Sequence, residues 1–199
     1  CPDPTTRDRS PYLKYLTEAI YSLAAAVEGG TLVLFTNYSD LQFCYHTLMP
    51  RWKRTGRSLY AQGEGYSRSE LRSRMMSEGD VLLLGAESFW KGFDAKGPSL
   101  SQLIITRLPF ENPNHPVLEA KSEIFEKKGK NPFMEMTLPS AVIRFRQGVG
   151  RLIRSNSDIG ELFLLDSRIL KKNYGREFLS ELPKTDYEVL SISEICDII

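Results

Sequence analysis

The phosphate cradle Gly-x-x-x-x-Gly-Lys-[Ser/Thr] occurs nowhere in the 199 residues, and neither does an acidic box of the Asp-Glu-Ala-His kind. Hydrolysis of a nucleoside triphosphate needs both a phosphate-binding loop and a carboxylate for magnesium. The chain alone is therefore not expected to hydrolyse one. Two near misses do not qualify. Gly129-Lys130 is followed by Asn131 and has Ile124 where the first glycine belongs, and Gly63-x-Gly65 lacks a third glycine. Cysteine is scarce as well. Cys1, Cys44 and Cys196 are odd in number and widely spaced, which argues against a disulfide framework and fits reduced thiols in the cytoplasm. They are one short of a four-cysteine iron–sulfur cage, and Cys44-x-His46 sits in an apolar helical run that suits a buried thiol better than a metal. No metal site is expected in this chain. Charge of one sign is missing too: 26 basic and 25 acidic residues leave a net +1. Affinity for a polyanion must then come from local patches. The apolar runs are too short to span a bilayer, and no signal-peptide pattern is visible, so no membrane association is expected.

What is present alternates regularly. Residues 1–10 form a polar leader with proline and threonine, read as a linker, and residues 11–199 are read as one domain. Helical stripes are expected over Pro11–Glu28, Leu41–Met49, Ser67–Ser77, His115–Lys128 and Tyr174–Leu182. Ser67 and Glu70 have capping-box spacing, and Ser39 or Asp40 is the expected cap of the second helix. Continuous apolar runs at Thr31–Thr36, Asp80–Leu84, Gln102–Thr106 and Glu161–Leu165 read as strands buried on both faces. A short strand is expected at Ser58–Gln62, an edge strand at Glu188–Ser191 and a terminal helix at Ser193–Ile199. Strands alternating with helices predict an α/β fold, a parallel sheet with helices on both faces. Ligands of such sheets sit beyond the carboxyl ends of the strands. Asn37, Ser39, Gly85–Asp94, Arg107 and Asp166 all fall there.

The most informative stretch runs from Arg144 to Ser155. Val142, Phe145, Val149 and Leu152 form an apolar stripe, and Arg144, Gln147, Arg151 and Arg154 recur on the opposite face. Gly148 and Gly150 fall in the middle of this expected helix, where each costs roughly 1 kcal/mol against alanine. Such a cost is tolerated where another backbone or a phosphate must approach closely. Two guanidiniums, an amide and bare backbone suit a polyphosphate. The plainer alternative is a solvated basic face on a core helix. A second motif, Gly85-Ala86-Glu87-Ser88-Phe89-Trp90-Lys91-Gly92-Phe93-Asp94, directly follows a core strand as a loop. Its aromatics either plug the core, as expected for Phe89 and Phe93, or stack against a ligand.

The order Gln-x-x-Gly-Arg-x-x-Arg at Gln147–Arg154 resembles motif VI of superfamily 2 helicases. Ser88–Asp94 resembles motif V of the DinG-type branch of XPD-like DNA helicases. Leu32–Tyr38 is similar to the motif IV region, and Leu108–Pro116 to the proline-marked segment after motif V. Asp166-Ser167-Arg168 with Lys172–Gly175 resembles the stretch after motif VI. The pieces stand in family order over Pro11–Pro183.

The resemblance implies a RecA-like second domain of an ATP-driven helicase without its own phosphate cradle. Arg151 and Arg154 would be arginine fingers, and Gln147 would meet the γ-phosphate or its attacking water. Gly92 and Asp94, with Gly148 and Gly150, would border the nucleotide. Asn37, Ser39 and Ser88 would contact the backbone of single-stranded DNA, with Trp90 stacking and Lys91 on a phosphate. Lys91 departs from the acidic residue common there, which removes any role for that carboxylate, and Asn37 stands where serine is commoner. ATP and Mg2+ would be bound mainly by an N-terminal RecA-like domain of the same polypeptide, which would also carry any iron–sulfur cluster. Translocation would run 5' to 3', in DNA repair or replication. Two other readings stay open on the residues alone: a free-standing module that binds nucleic acid or a partner without catalysis, and an unrelated doubly wound enzyme.

Overall fold

The computed structural model describes residues 1–90, 100–112, 115–152, 160–182, 187–191 and 194. Among them five strands form one parallel sheet in the order β2-β3-β1-β4-β5. The strands are β1 (Thr31–Leu34), β2 (Ser58–Ala61), β3 (Val81–Gly85), β4 (Gln102–Ile105) and β5 (Glu161–Leu164). Every strand pair is parallel, with Leu34 level with both Gly85 and Ile105. All five carboxyl ends therefore point one way.

Alternation along β1 splits its side chains between two apolar layers. Val33 and Phe35 join Leu82, Leu84 and Ile104 under α1 (Ser10–Ala26) and α2 (Tyr38–Trp52). Leu32 and Leu34 join Leu83, Leu103 and Ile105 under α3 (Arg68–Glu78), α6 (Leu138–Val149) and α8 (Gly175–Leu179). Helices thus cover both faces, the RecA-like arrangement expected from the sequence. α1 stops before Gly29, whose φ of +105° is costly for other residues. Arg57 closes this end: its guanidinium donates to Ala24 O in the last turn at 2.6 Å and to Gly29 O beyond the helix at 3.3 Å. The Ser67–Glu70 capping box at the start of α3 is present in both directions. Cys44 is fully buried, and that burial pushes its thiol well above the ordinary range.

Four expectations need correction. The loop after β3 contains a helical turn, α4 (Glu87–Trp90). Asn37 caps α2, not Ser39 or Asp40. The glycine helix does not run to Ser155. It is entered through a π-helical turn at Phe133–Thr137 and ends at Val149, with Gly150 as its cap. Finally, residues 187–190 form no strand. The expected terminal helix lies outside the described residues apart from Glu194, which is helical. α5 (Pro116–Lys127) and α7 (Arg168–Lys171) complete the elements. The leader is not detached: Pro4 is buried, and Arg9 pairs with Asp40. No helix among the described residues is long and apolar enough to cross a membrane.

Candidate functional site

The sheet delivers four turns to one edge. β1 leads into Asn37, which is half-buried at the start of α2. Its Oδ1 accepts from Asp40 N and from Ser39 Oγ, both at 2.8 Å, and its Nδ2 donates to Asp40 Oδ2 at 2.8 Å. The amide's hydrogen bonds are thus spent on its own helix turn. Ser39 is exposed, and the first amides of α2 lie at the helix's positive end. Asp40 is buried at 3 % exposure and holds Arg9, with Arg107 Nη1 at 3.9 Å from the same oxygen. Arg107 follows β4 and lies over the Tyr12 ring. Burial lowers its pKa, Tyr12 works against that, and neighbouring Arg168 and Arg9 lower it further.

The turn after β5 carries a second buried carboxylate. Asp166 Oδ2 accepts from Leu108 N at 2.8 Å, and its two oxygens receive the Arg168 guanidinium at 2.6–3.2 Å. Asp166 thereby fastens the segment after β4 to the turn after β5.

Trp90 and Arg151 join α4 to the end of α6. Trp90 is 2 % exposed, and its indole N–H donates to Phe35 O at 2.7 Å. Its six-membered ring faces Gly148, where an added Cβ would lie 2.8 Å from Cζ3. The stacking role expected for Trp90 is therefore corrected: the ring is buried in the core with almost no exposed surface to offer a base. The same contact accounts for Gly148, which is buried and receives a side chain, not a phosphate. Arg151, in the turn beyond α6, donates from Nη2 to Trp90 O at 2.6 Å. Gln147 and Gly150 are exposed nearby on the chain, and Ser88 is half-buried in α4. Lys91, Gly92, Asp94 and Arg154 lie outside the described residues. Arg144, on the expected arginine face, is committed to Glu111 at 2.5 Å beside a cleft of about 400 Å³ lined also by Trp90 and Lys121.

The motif order, the parallel sheet and the α4–α6 junction converge with comparison to known proteins. The helicase C-terminal domain family matches residues 20–185. The chain belongs to that family. It is 43 % identical over 174 residues to the 3'-5' exonuclease DinG of Bacillus subtilis, covering 87 % of this chain and 19 % of that protein. It is 38 % identical over 175 residues to the ATP-dependent DNA helicase DinG of Photobacterium profundum, covering 85 % and 25 %. A solved XPD helicase superposes with a TM-score of 0.67 at 18 % identity, over 88 % of this chain and 32 % of that one. These likenesses bear out the DinG-type, XPD-like resemblance and the RecA-like fold. The helicase C-terminal domain spans between 19 % and 26 % of the length of the curated relatives it matches.

The partners of two buried carboxylates, Asp40 and Asp166, are not given by the motif reading. Asp40 is the third residue of α2, where it meets Asn37, Arg9 and Arg107. The Asn37-x-x-Asp40 spacing was an available signal, since cap and third residue face each other. Asp166 with Leu108 and Arg168 had only a partial signal, because a contact across 58 residues has no local pattern.

Proposed function

We propose that this chain is the second motor domain of an ATP-dependent DNA helicase, in which Arg151 and Arg154 act as arginine fingers. The observation that carries the reading is the Arg151–Trp90 hydrogen bond. It ties the guanidinium after α6 to the α4 segment, which also holds Ser88. In this reading ATP and Mg2+ bind on an N-terminal RecA-like domain of the same polypeptide and face residues 147–154 across a cleft. That partner domain also carries any iron–sulfur cluster. A fork-shaped guanidinium neutralises charge developing on the transferred phosphoryl group. Gln147, exposed one turn before Arg151, orients the attacking water or meets the γ-phosphate.

Single-stranded DNA runs along the carboxyl edge of the sheet, past Ser39, Ser88 and Lys91. A strand phosphate would sit at the first turn of α2, at the helix's positive end. Asn37 supports that site by shaping the turn, since its own amide is taken. Trp90 takes no part in stacking. Gly92 and Asp94 contact the nucleotide, and residues 11–199 act as one unit. Translocation is 5' to 3', and the setting is cytoplasmic DNA repair or replication, in keeping with relatives named as DNA helicases.

The test is Arg151→Ala in the complete polypeptide that carries this domain. In GTPases an arginine finger contributes ~10³–10⁵ in rate, so DNA-stimulated ATP hydrolysis is expected to fall close to background while single-stranded DNA binding persists. Arg151→Lys fails as well, because a point charge does not replace the planar fork. Wild-type turnover in Arg151→Ala refutes the assignment. The 199-residue chain alone, lacking a cradle, hydrolyses no ATP. A second reading, a non-catalytic module that holds nucleic acid or a partner, is favoured only by that missing cradle. It predicts salt-sensitive DNA binding indifferent to nucleotide.

A further inference from the structure

The helicase reading gives Arg107 no task, and its surroundings give it no hydrogen bond. The residue follows β4, and only 19 % of its side chain is exposed. Its nearest carboxylate oxygen, Asp40 Oδ2, lies 3.9 Å from Nη1, beyond hydrogen-bond reach. That oxygen is already taken: Asn37 Nδ2 donates to it at 2.8 Å, and Arg9 Nη2 donates to it as well. Asp166, the other buried carboxylate of this edge, is occupied by Leu108 and Arg168. Among the described residues, Arg107 makes no hydrogen bond at all.

Taking a guanidinium out of water without pairing it is unfavourable. Burial is the main cause of its lowered pKa, and Arg168 and Arg9 lower it further, against Tyr12 and Asp40. Three guanidiniums, Arg9, Arg107 and Arg168, share this corner with two buried carboxylates, which leaves one positive charge over. Asp3 and Lys172 stand at its margin and offset each other. The guanidinium is nonetheless held in place. Tyr12 is fully buried, its hydroxyl donates to Thr106 O at 3.0 Å, and its ring centroid lies 5.9 Å from Arg107 Cζ. A fixed fork with unspent donors and surplus positive charge is the arrangement that takes a phosphate.

We propose that Arg107 is a phosphate-binding residue whose ligand is the backbone of single-stranded DNA. The inference rests on the DNA-binding part of the helicase reading and not on the arginine fingers. The nucleotide of that reading is not the source of the phosphate. Arg107 stands with Tyr12 and Asp40 on the α1–α2 side of the sheet, whereas Trp90 and Leu152, beside Arg151, belong to the opposite layer under α6. A strand that passes the first turn of α2 comes within reach of Arg107, since Asp40 in that turn lies next to it.

The test is single-strand binding by the complete polypeptide without nucleotide, measured by fluorescence anisotropy of a labelled oligothymidine over a range of salt. Arg107→Gln should weaken binding about tenfold at low salt, the worth of a charge-assisted hydrogen bond. The slope of log affinity against log salt should shrink by about 0.7, one phosphate contact on a single strand. Arg107→Lys keeps the charge, so the slope should return, while about threefold of the affinity loss remains because a point charge does not replace the fork. Arg54→Gln removes an exposed charge beyond the far end of α2 and should change neither. Arg107 makes no hydrogen bond within the domain, so Arg107→Gln should leave the melting temperature unchanged or raised, as at sites where function is held at the expense of stability. A residue that only supports the fold, or that pairs with an acidic group of a neighbouring domain, would lower the melting temperature and leave the salt slope alone; that result overturns the inference. So does a raised KM for ATP at unchanged DNA affinity, which makes the ligand a nucleotide phosphate, or an equal loss of slope in Arg54→Gln, which reduces Arg107 to bulk charge. Wild-type affinity and slope in Arg107→Gln overturn the inference and leave the DNA reading standing. Absence of salt-sensitive single-strand binding in the unaltered polypeptide removes the DNA reading and the inference with it. If circular dichroism shows Arg107→Gln unfolded, Arg107→Lys decides alone, and wild-type affinity in it overturns the inference.

Discussion

Asp166→Ala should be among the most damaging single changes to the stability of this domain. The carboxylate is 2 % exposed and accepts from three groups: the backbone N–H of Leu108, the backbone N–H of Arg168 and the guanidinium of Arg168. Stranding the buried amide costs roughly 1–3 kcal/mol. Breaking a buried ion pair by removing one member costs about 3–5 kcal/mol in total. The Arg168 side chain is 12 % exposed and lies over the Phe110 ring, so it can turn partly into water. We therefore take the lower end, ~3 kcal/mol. For a chain of this size, that corresponds to a fall in Tm of roughly 6–12 °C. Asp166→Asn keeps one acceptor but not the charge, and should lose about half as much. Arg168→Met on the Asp166→Ala background removes the unpaired cation and should recover part of the loss. Thermal and urea unfolding of the 199-residue chain, followed by far-ultraviolet circular dichroism, measures all three. A loss below about 1 kcal/mol for Asp166→Ala, or no recovery in the double variant, refutes the reasoning.

Two further outcomes follow from the titratable groups. In a chain where Cys1 and Cys196 are replaced by serine, Cys44 should react with a thiol reagent only as fast as the protein unfolds. Burial, and secondarily Asp40, keeps its thiol protonated above the ordinary range. The stability held in that neutral thiol is whole below the ordinary thiol pKa and erodes as pH rises past it; immediate labelling of folded protein at pH 8 contradicts this. The Glu70 carboxylate is held below its usual pKa by the Ser67 hydroxyl and amide hydrogen bonds. Its contribution is complete above the ordinary glutamate range and disappears as pH falls through the lowered value. Ser67→Ala should cost about 1 kcal/mol at neutral pH and flatten the acid limb of the stability curve, and an unchanged limb counts against the capping box.

The elements that could be read from sequence are those whose information is local. Four apolar runs mark four of the strands. β1, β3 and β4 are buried throughout, as parallel strands covered on both faces are, whereas β5, expected to be buried on both faces, is the sheet edge and only half-buried. The Ser67–Glu70 box was legible because cap and third residue are neighbours. The end of α6 was not, since Val149 and Leu152 continue the apolar spacing past the true boundary at Gly150. Leu152 is indeed buried, but from a turn rather than from the helix. The placement of Trp90 was hidden for a different reason. Two adjacent aromatics in a glycine-bounded loop suit a core plug and a stacking platform equally. The deciding fact is the bare Cα of Gly148 58 positions later. Arg151, by contrast, is singled out by helical spacing and motif order, and the Trp90 carbonyl it meets lies in the other motif singled out.

The two glycines of the arginine segment show how far a carried-over role can be taken. Both looked like candidates for close phosphate approach, because both lie beside the guanidiniums. Gly148 is buried, and its open side is filled by the indole of Trp90. No phosphate can use that backbone while the ring is in place. Gly150 has φ −62°, an angle open to any residue, and among the described residues an added Cβ would meet Arg146 O at 3.2 Å. Its value is therefore modest, at most easing the exit from α6. In the arginine-finger reading, phosphate contacts at this end of the helix come from side chains, Gln147 and the arginines, and not from the Gly148 backbone. That division has a mechanical advantage: the helix itself can stay packed on Trp90 while the side chains beyond it meet a nucleotide. Gly150→Ala should accordingly leave ATP turnover of the complete polypeptide within about twofold, whereas Gly148→Ala should not. Equal loss in both would return the phosphate contact to the backbone.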